Sequence, residues 1–224
     1  MERCPCPCPC KYFLVEKCKY GDRCRYLHAW SWSTDFSLLT PLHGHHKAIT
    51  AILLPSASDE LISSSEDGTL KFWNCHTGEC ISTRNFDSEI GCIMSDGPWL
   101  FVGLRNSIKV YNFENNTQFT LLGPAGLVYA LAAHHDMLFA GTQGVLALQG
   151  TIDATGQSVL CCSVNDHTVG LYNLPSFERR GRIFAKKEVR ALQTGPSALF
   201  FTGDGTGDLK VWKWSTDKGC NMQC

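Results

Sequence analysis

From residue 36 onward, short apolar runs alternate with clusters of Gly, Asp, Asn and Ser, a pattern that predicts strands. Val102, Ile108, Val110, Leu138, Val159, Val169, Phe200 and Val211 lie in runs of four to eight residues bounded by turn formers. No segment sustains a 3.6-residue apolar period over three turns, so the expectation is an all-β domain without a helix. Residues 1–28 differ: they are rich in Cys, Lys and Arg and too short to bury a core. The chain thus reads as a Cys/Pro-rich tail at 1–9, a small module at 10–28, a linker at 29–35, a β domain at 36–214 and a C-terminal tail at 215–224.

Self-comparison of the β domain brings out one recurring strand. Leu70-Lys71-Phe72-Trp73-Asn74, Ile108-Lys109-Val110-Tyr111-Asn112, Val169-Gly170-Leu171-Tyr172-Asn173 and Leu209-Lys210-Val211-Trp212-Lys213 are its variants. Trp73 and Tyr111 are 38 residues apart and Tyr172 and Trp212 are 40 apart, close to the roughly 40–45 residues of a four-stranded propeller blade. The first copy is the fullest, with Gly44-His45, Ser65-Glu66-Asp67-Gly68 and Trp73. In these residues the sequence resembles the WD40 repeat family. The resemblance implies a β-propeller in which His45, Ser65, Asp67 and Trp73 form a hydrogen-bond chain bracing one blade. Where copy one has Asp67, the others have Arg105, Asp166 and Thr206, so a single further copy keeps the acid.

The interval from Tyr111 to Tyr172, 61 residues, is too long for one blade and too short for two. Val128 to Gln143 supplies two strands of a blade, and Gly144-Val145-Leu146-Ala147-Leu148 then begins as a new inner strand. Residues 36–214 hold between four and five blades, so the expected fold is a shortened WD40 β-propeller, with Phe36 to Thr40 completing the last blade.

Cysteine usage changes the picture at the other end. Of 13 cysteines, six fall within the first 24 residues and seven are scattered. The start carries no apolar signal region, and the longest apolar stretch, Ala125 to Ala133, falls short of the roughly 18 residues of a membrane helix. An intracellular, reducing location in nucleus or cytoplasm is expected, with clustered thiols as metal ligands and scattered ones as small buried residues. Cys10, Cys18, Cys24 and His28 are spaced C-x7-C-x5-C-x3-H. Three thiolates and an imidazole complete a closed tetrahedral zinc shell, so the expected Zn2+ is structural. Cys8 competes with Cys10 as first ligand but lengthens the first loop to nine residues, and Cys4, Cys6 and Cys8 read as an irregular tail.

The spacing, with Cys10-Lys11-Tyr12-Phe13, Cys18-Lys19-Tyr20-Gly21 and Cys24-Arg25-Tyr26-Leu27-His28, resembles the CCCH zinc finger family. The resemblance implies that Phe13, Tyr20 and Tyr26 stack on single-stranded bases, RNA ahead of DNA, while Lys11, Lys19, Arg23 and Arg25 meet phosphates. Lys11, Lys17, Lys19, Arg23 and Arg25 against Glu16 and Asp22 leave the finger at +3, although the whole chain is −1. The competing reading makes those aromatics the module's whole core and the protein a scaffold with a purely structural finger.

A lone finger followed by WD40 repeats is similar to the plant CCCH finger proteins with WD repeats, which implies a nucleic-acid-associated scaffold that also binds other proteins, not an enzyme and not a membrane protein. Catalytic constellations fail at the residue level. Gly203-Asp204-Gly205-Thr206-Gly207-Asp208 precedes a strand, and its two Asp would repel phosphate. Cys161-Cys162 lies in an apolar strand as buried thiols, and His43, His46, His134 and His135 read as loop residues.

Overall fold

A computed structural model describes residues 8–15, 17–28, 39–55, 58–195 and 199–214. It falls into two compact units, residues 1–43 and 44–224. The second unit is a series of antiparallel sheets. The first sheet is β1 (Ile49–Leu53), β2 (Glu60–Ser65), β3 (Thr69–Asn74) and β4 (Cys80–Asn85), and the second is β5 (Cys92–Asp96), β6 (Trp99–Asn112) and β7 (Gln118–Leu127). A two-stranded sheet follows, β8 (Ala130–His134) and β9 (Met137–Gly141). Then come β10 (Val145–Ile152), β11 (Ser158–Val164), β12 (Thr168–Asn173) and β13 (Arg179–Phe184), and finally β14 (Val189–Thr194), β15 (Leu199–Asp204) and β16 (Leu209–Lys213). Among the described residues there is no α-helix, and no helix is long and apolar enough to cross a membrane.

Period-2 patterning places the core between sheets. Ile62, Leu70 and Phe72 of the first sheet pack against Ile90, Leu100, Val102 and Leu104 of the second stretch. Cys92, Ile108, Val110 and Val128 form the next cluster with Leu131 and Leu138, and Val159, Cys161 and Val169 join Val189 and Phe200 in the last. Ile90, Val128 and Val189 each lead into an inner strand and are 0% exposed. Burying each such side chain contributes about 1.5–3 kcal/mol. Of the scattered cysteines, Cys92 and Cys161 are packing residues, and burial pushes their thiols up to about 12, whereas Cys75 and Cys80 are exposed, against expectation.

β6 is a folded-over pair rather than one straight strand. Residues 99–103 pair with β5 and 105–111 with β7, while the Phe113 amide donates to the Pro98 carbonyl at 3.0 Å. Fourteen residues in one extended run would hold those ends roughly 45 Å apart, so the chain reverses at Arg105-Asn106. Asn106 supplies the left-handed conformation (φ 61°), and its side-chain oxygen accepts the Gly126 amide at 2.7 Å. The second sheet thus repeats the four-strand plan of the first.

The shortened third repeat is present as expected. β8 and β9 form a sheet of two strands, and β10 begins at Val145 as the inner strand of the next. Of the proposed closing strand, residues 36–38 lie outside the described residues, and Leu39 and Thr40 are in no strand.

The bracing network departs from expectation at one residue. The Trp73 indole N–H donates to Ser63 Oγ at 2.8 Å, and Ser63 Oγ meets His45 Nε2 at 2.7 Å. His45 Nδ1 lies 2.8 Å from Thr69 Oγ1 and 3.4 Å from Asp67 Oδ2, and the Thr69 hydroxyl donates to Asp67 Oδ1 at 2.6 Å. Ser63, not Ser65, is therefore the hydroxyl link. The register explains it: Trp73 pairs with Leu61, which makes Ser63 its diagonal neighbour, whereas Ser65 is two residues further along. Ser65 instead donates to the Lys47 carbonyl and accepts the Asp67 amide. Trp212 repeats the diagonal with Thr202 Oγ1 at 2.9 Å. Ser63→Ala should cost about 1–3 kcal/mol in urea melts because two buried partners lose their bond. Ser65→Ala should cost less.

Four turns share an Asp-x-Thr clasp in which Asp Oδ1 accepts both the Thr amide and hydroxyl: Asp67/Thr69, Asp153/Thr155, Asp166/Thr168 and Asp204/Thr206. The Gly203–Asp208 segment is accordingly a hairpin turn between β15 and β16. Burial alone would raise Asp67 and Asp153, but their hydrogen bonds, and for Asp153 an ion pair with Arg180 at 2.6 Å, outweigh it. Asp67 is held well below the usual carboxylate range and Asp153 at about 2. The Thr206 hydroxyl does the same for Asp204. Depressed folded-state values contribute stability that is full above roughly pH 4 and disappears as pH falls through them. Circular dichroism should show acid unfolding beginning below about pH 4, and Asp153→Asn should flatten that dependence.

Candidate metal centre and aromatic surface

The first unit is built on turns. After Cys10 the Phe13 and Leu14 amides both donate to the Cys10 carbonyl, at 3.0 and 3.1 Å. The Cys10 amide donates to the Leu27 carbonyl at 2.9 Å and the Leu27 amide to the Cys8 carbonyl at 3.2 Å, which sets Cys10 beside His28. A short 3-10 turn, Gly21–Arg23, carries Cys24 inward, with Gly21 at φ 46° where a side chain would strain the backbone.

These turns bring Cys10, Cys18, Cys24 and His28 together, with one ligand atom from each lying within 4.8 Å of the others. Bonds of about 2.3 Å in a tetrahedral shell put sulfur atoms roughly 3.8 Å apart, so a small contraction around an ion completes the shell. Cys10 is 2% exposed. His28 Nε2 is buried without a hydrogen-bond partner, an orphaned lone pair suited to a cation. Burial raises the Cys10 thiol, but the Phe13 amide and the neighbouring His28, Cys24 and Cys18 outweigh it and draw it down. At Cys24 the Tyr26 amide works downward, yet burial together with Cys10 and Cys18 leaves it raised. Thiols this close resist ionising together, and a divalent cation removes that conflict. Cys8 is exposed and lies outside the cluster, which answers the choice between Cys8 and Cys10; Cys4 and Cys6 lie outside the described residues.

The aromatic side chains divide into two kinds. Phe13 stacks one face on the His28 imidazole, centroids 4.7 Å apart at 15°, and so steadies a ligand. Tyr20 and Tyr26 are 72% and 53% exposed, and beside them stands Tyr12 at 67%. These three, with Arg23 and Arg25, rim a cavity of about 430 Å3 that Cys10, Cys18 and Cys24 also line, so the aromatic and basic side chains surround the metal cluster itself. Tyr12 is the residue that sequence reasoning passed over. Its one signal is adjacency: of the neighbours Tyr12 and Phe13, one must turn inward and the other out. Lys11, Lys17, Lys19, Arg23 and Arg25 are all exposed.

Residues 8–29 match a CCCH-type zinc finger and residues 36–74 a WD domain, G-beta repeat. Zinc finger CCCH domain-containing protein 17 of Oryza sativa subsp. japonica is 37% identical, over 92% of this chain and 73% of the rice protein. The chain belongs to the plant zinc finger CCCH domain-containing proteins that carry WD repeats. Two Arabidopsis thaliana members of the family, zinc finger CCCH domain-containing proteins 48 and 63, are each 35% identical, covering 92% and 89% of this chain and 74% and 71% of theirs. The match to the rice member of the family runs over 316 residues, more than the 224 of this chain, so it includes internal sequence with no counterpart here. The stretch that matches the CCCH-type zinc finger contains all four residues of the cluster that the turns assemble.

Proposed function

We propose that residues 10–28 hold one Zn2+ through Cys10, Cys18, Cys24 and His28 and bind single-stranded nucleic acid, RNA ahead of DNA, on the aromatic and basic surface around that centre. When bound, the ion closes the four ligands into one rigid module and takes no part in a reaction. The WD-repeat sheets act as a platform for other proteins, and the molecule performs this tethering without catalysis, in the nucleus or cytoplasm. The observation that supports this reading is the set of exposed tyrosines, Tyr12, Tyr20 and Tyr26, around one pocket with Arg23 and Arg25. Flat aromatic faces suit unstacked bases, and cations suit the phosphates between them.

Binding of zinc-loaded protein to unstructured RNA and DNA oligonucleotides, measured across a salt series, tests the proposal. Five basic side chains at most meet phosphates, so log K against log salt should fall with a slope between about −2 and −3.5. Absence of saturable binding by either strand would favour the second reading, a scaffold with a purely structural finger. That alternative draws support from Phe13, whose ring serves the ligand His28.

A further inference from the structure

The first and last sheets each press one face into a neighbour and leave the other open. In the first sheet, Ile62, Leu70 and Phe72 turn toward the second sheet. On the reverse stand Ile49 and Ile52, 56% and 68% exposed, paired with Ser65 and Ser63. In the last sheet, Phe200, Leu192 and Trp212 turn toward the β10–β13 sheet. On its reverse Leu209 and Val211 are 74% and 60% exposed, Val211 pairing with Phe201. Ile49 and Ile52 on β1, and Leu209 and Val211 on β16, each an edge strand of its sheet, are apolar side chains that the described residues leave more than half exposed.

Those two faces are matched to each other by the repeat itself. The inner strands β1, β5, β8, β10 and β14 succeed one another as neighbours, and apolar clusters fill three of the four junctions between successive sheets. Each junction joins the trailing face of one repeat to the leading face of the next. The open face of the first sheet is a leading face without a predecessor, and that of the last sheet is a trailing face without a successor. The match to the rice relative spans 316 residues against the 224 of this chain, so that relative carries internal sequence that this chain lacks. In quasi-one-dimensional repeats the stabilising contacts are nearest-neighbour ones, so the best-fitting cover for either face is the opposite end of another copy.

We propose that this chain self-associates head to tail, the open face of the last sheet of one copy docking on the open face of the first sheet of a second. Such a contact is heterologous: it closes a ring or extends a string, depending on the rotation between copies.

The test is light scattering coupled to size-exclusion chromatography across a concentration series, with Ile52→Lys and Val211→Lys proteins. Both side chains are exposed, so each substitution leaves the core intact, which circular dichroism verifies. Wild type should run at two or more times 24.8 kDa. Either variant alone should fall to the single-chain mass, because every junction then loses one half. Mixed in equal amounts, the variants should form a species of two chains and no more, since one good leading face and one good trailing face remain. Ile49→Lys and Leu209→Lys provide an independent pair if a first variant misfolds. The assembly should also persist in Cys18→Ser protein under reductant, which separates it from bridging by metal or thiols. A wild type that stays at 24.8 kDa, variants that assemble as wild type does, or a mixture without the two-chain species would each overturn the proposal.

Discussion

Cys18→Ser protein should carry no stoichiometric zinc, and residues 8–28 should lose their dispersed amide resonances while the WD-repeat sheets keep their β signal. The finger has almost nothing else to hold it. Cys10 is the one buried side chain of its described residues, whereas Tyr12, Val15, Tyr20 and Tyr26 are all more than half exposed. A segment this short buries too little apolar surface to fold alone. Metal binding supplies about 10–16 kcal/mol in comparable modules, so losing one thiolate removes most of the folding free energy. Elemental analysis and two-dimensional NMR read the two effects separately. Full zinc content with unchanged dispersion would refute the assignment of Cys18 as a ligand.

Tyr20→Leu/Tyr26→Leu protein should retain zinc but bind single strands at least roughly 30-fold more weakly, because each lost stack costs about 1–3 kcal/mol. Tyr12→Leu should weaken binding in the same way. Phe13→Leu should behave differently: its ring rests on His28, so the change should lower zinc affinity first and strand binding only as a consequence. Titrations with matched zinc loading distinguish the two patterns. A double Tyr variant that binds as tightly as wild type would point to the scaffold reading.

The metal set was legible because ligand spacing is a local property, fixed by how far short turns reach. The repeats were legible for a similar reason, since each strand carries its own alternation and its own aromatic anchor. What escaped depended on cross-strand register. Ser63 and Ser65 share a face and a residue type, and the pairing of Leu61 with Trp73 is what selects Ser63. Thr69 escaped for the same reason, as its hydroxyl enters the chain only when the Asp67 turn folds it toward His45. Phe13 and Tyr12 are adjacent, and their roles separate once the turn after Cys10 sends one ring to His28. The Arg105-Asn106 reversal, by contrast, was legible, since Arg105 aligns with the turn residue Asp67 of the first copy, and Asn106 takes the left-handed conformation there.

Among the described residues, every ladder joins strands that follow one another directly along the chain. A ribosome releasing about 5–20 residues per second therefore delivers each partner within seconds of the strand it must meet. No ladder among the described residues waits for a distant segment to be translated, and its closure follows the order of synthesis.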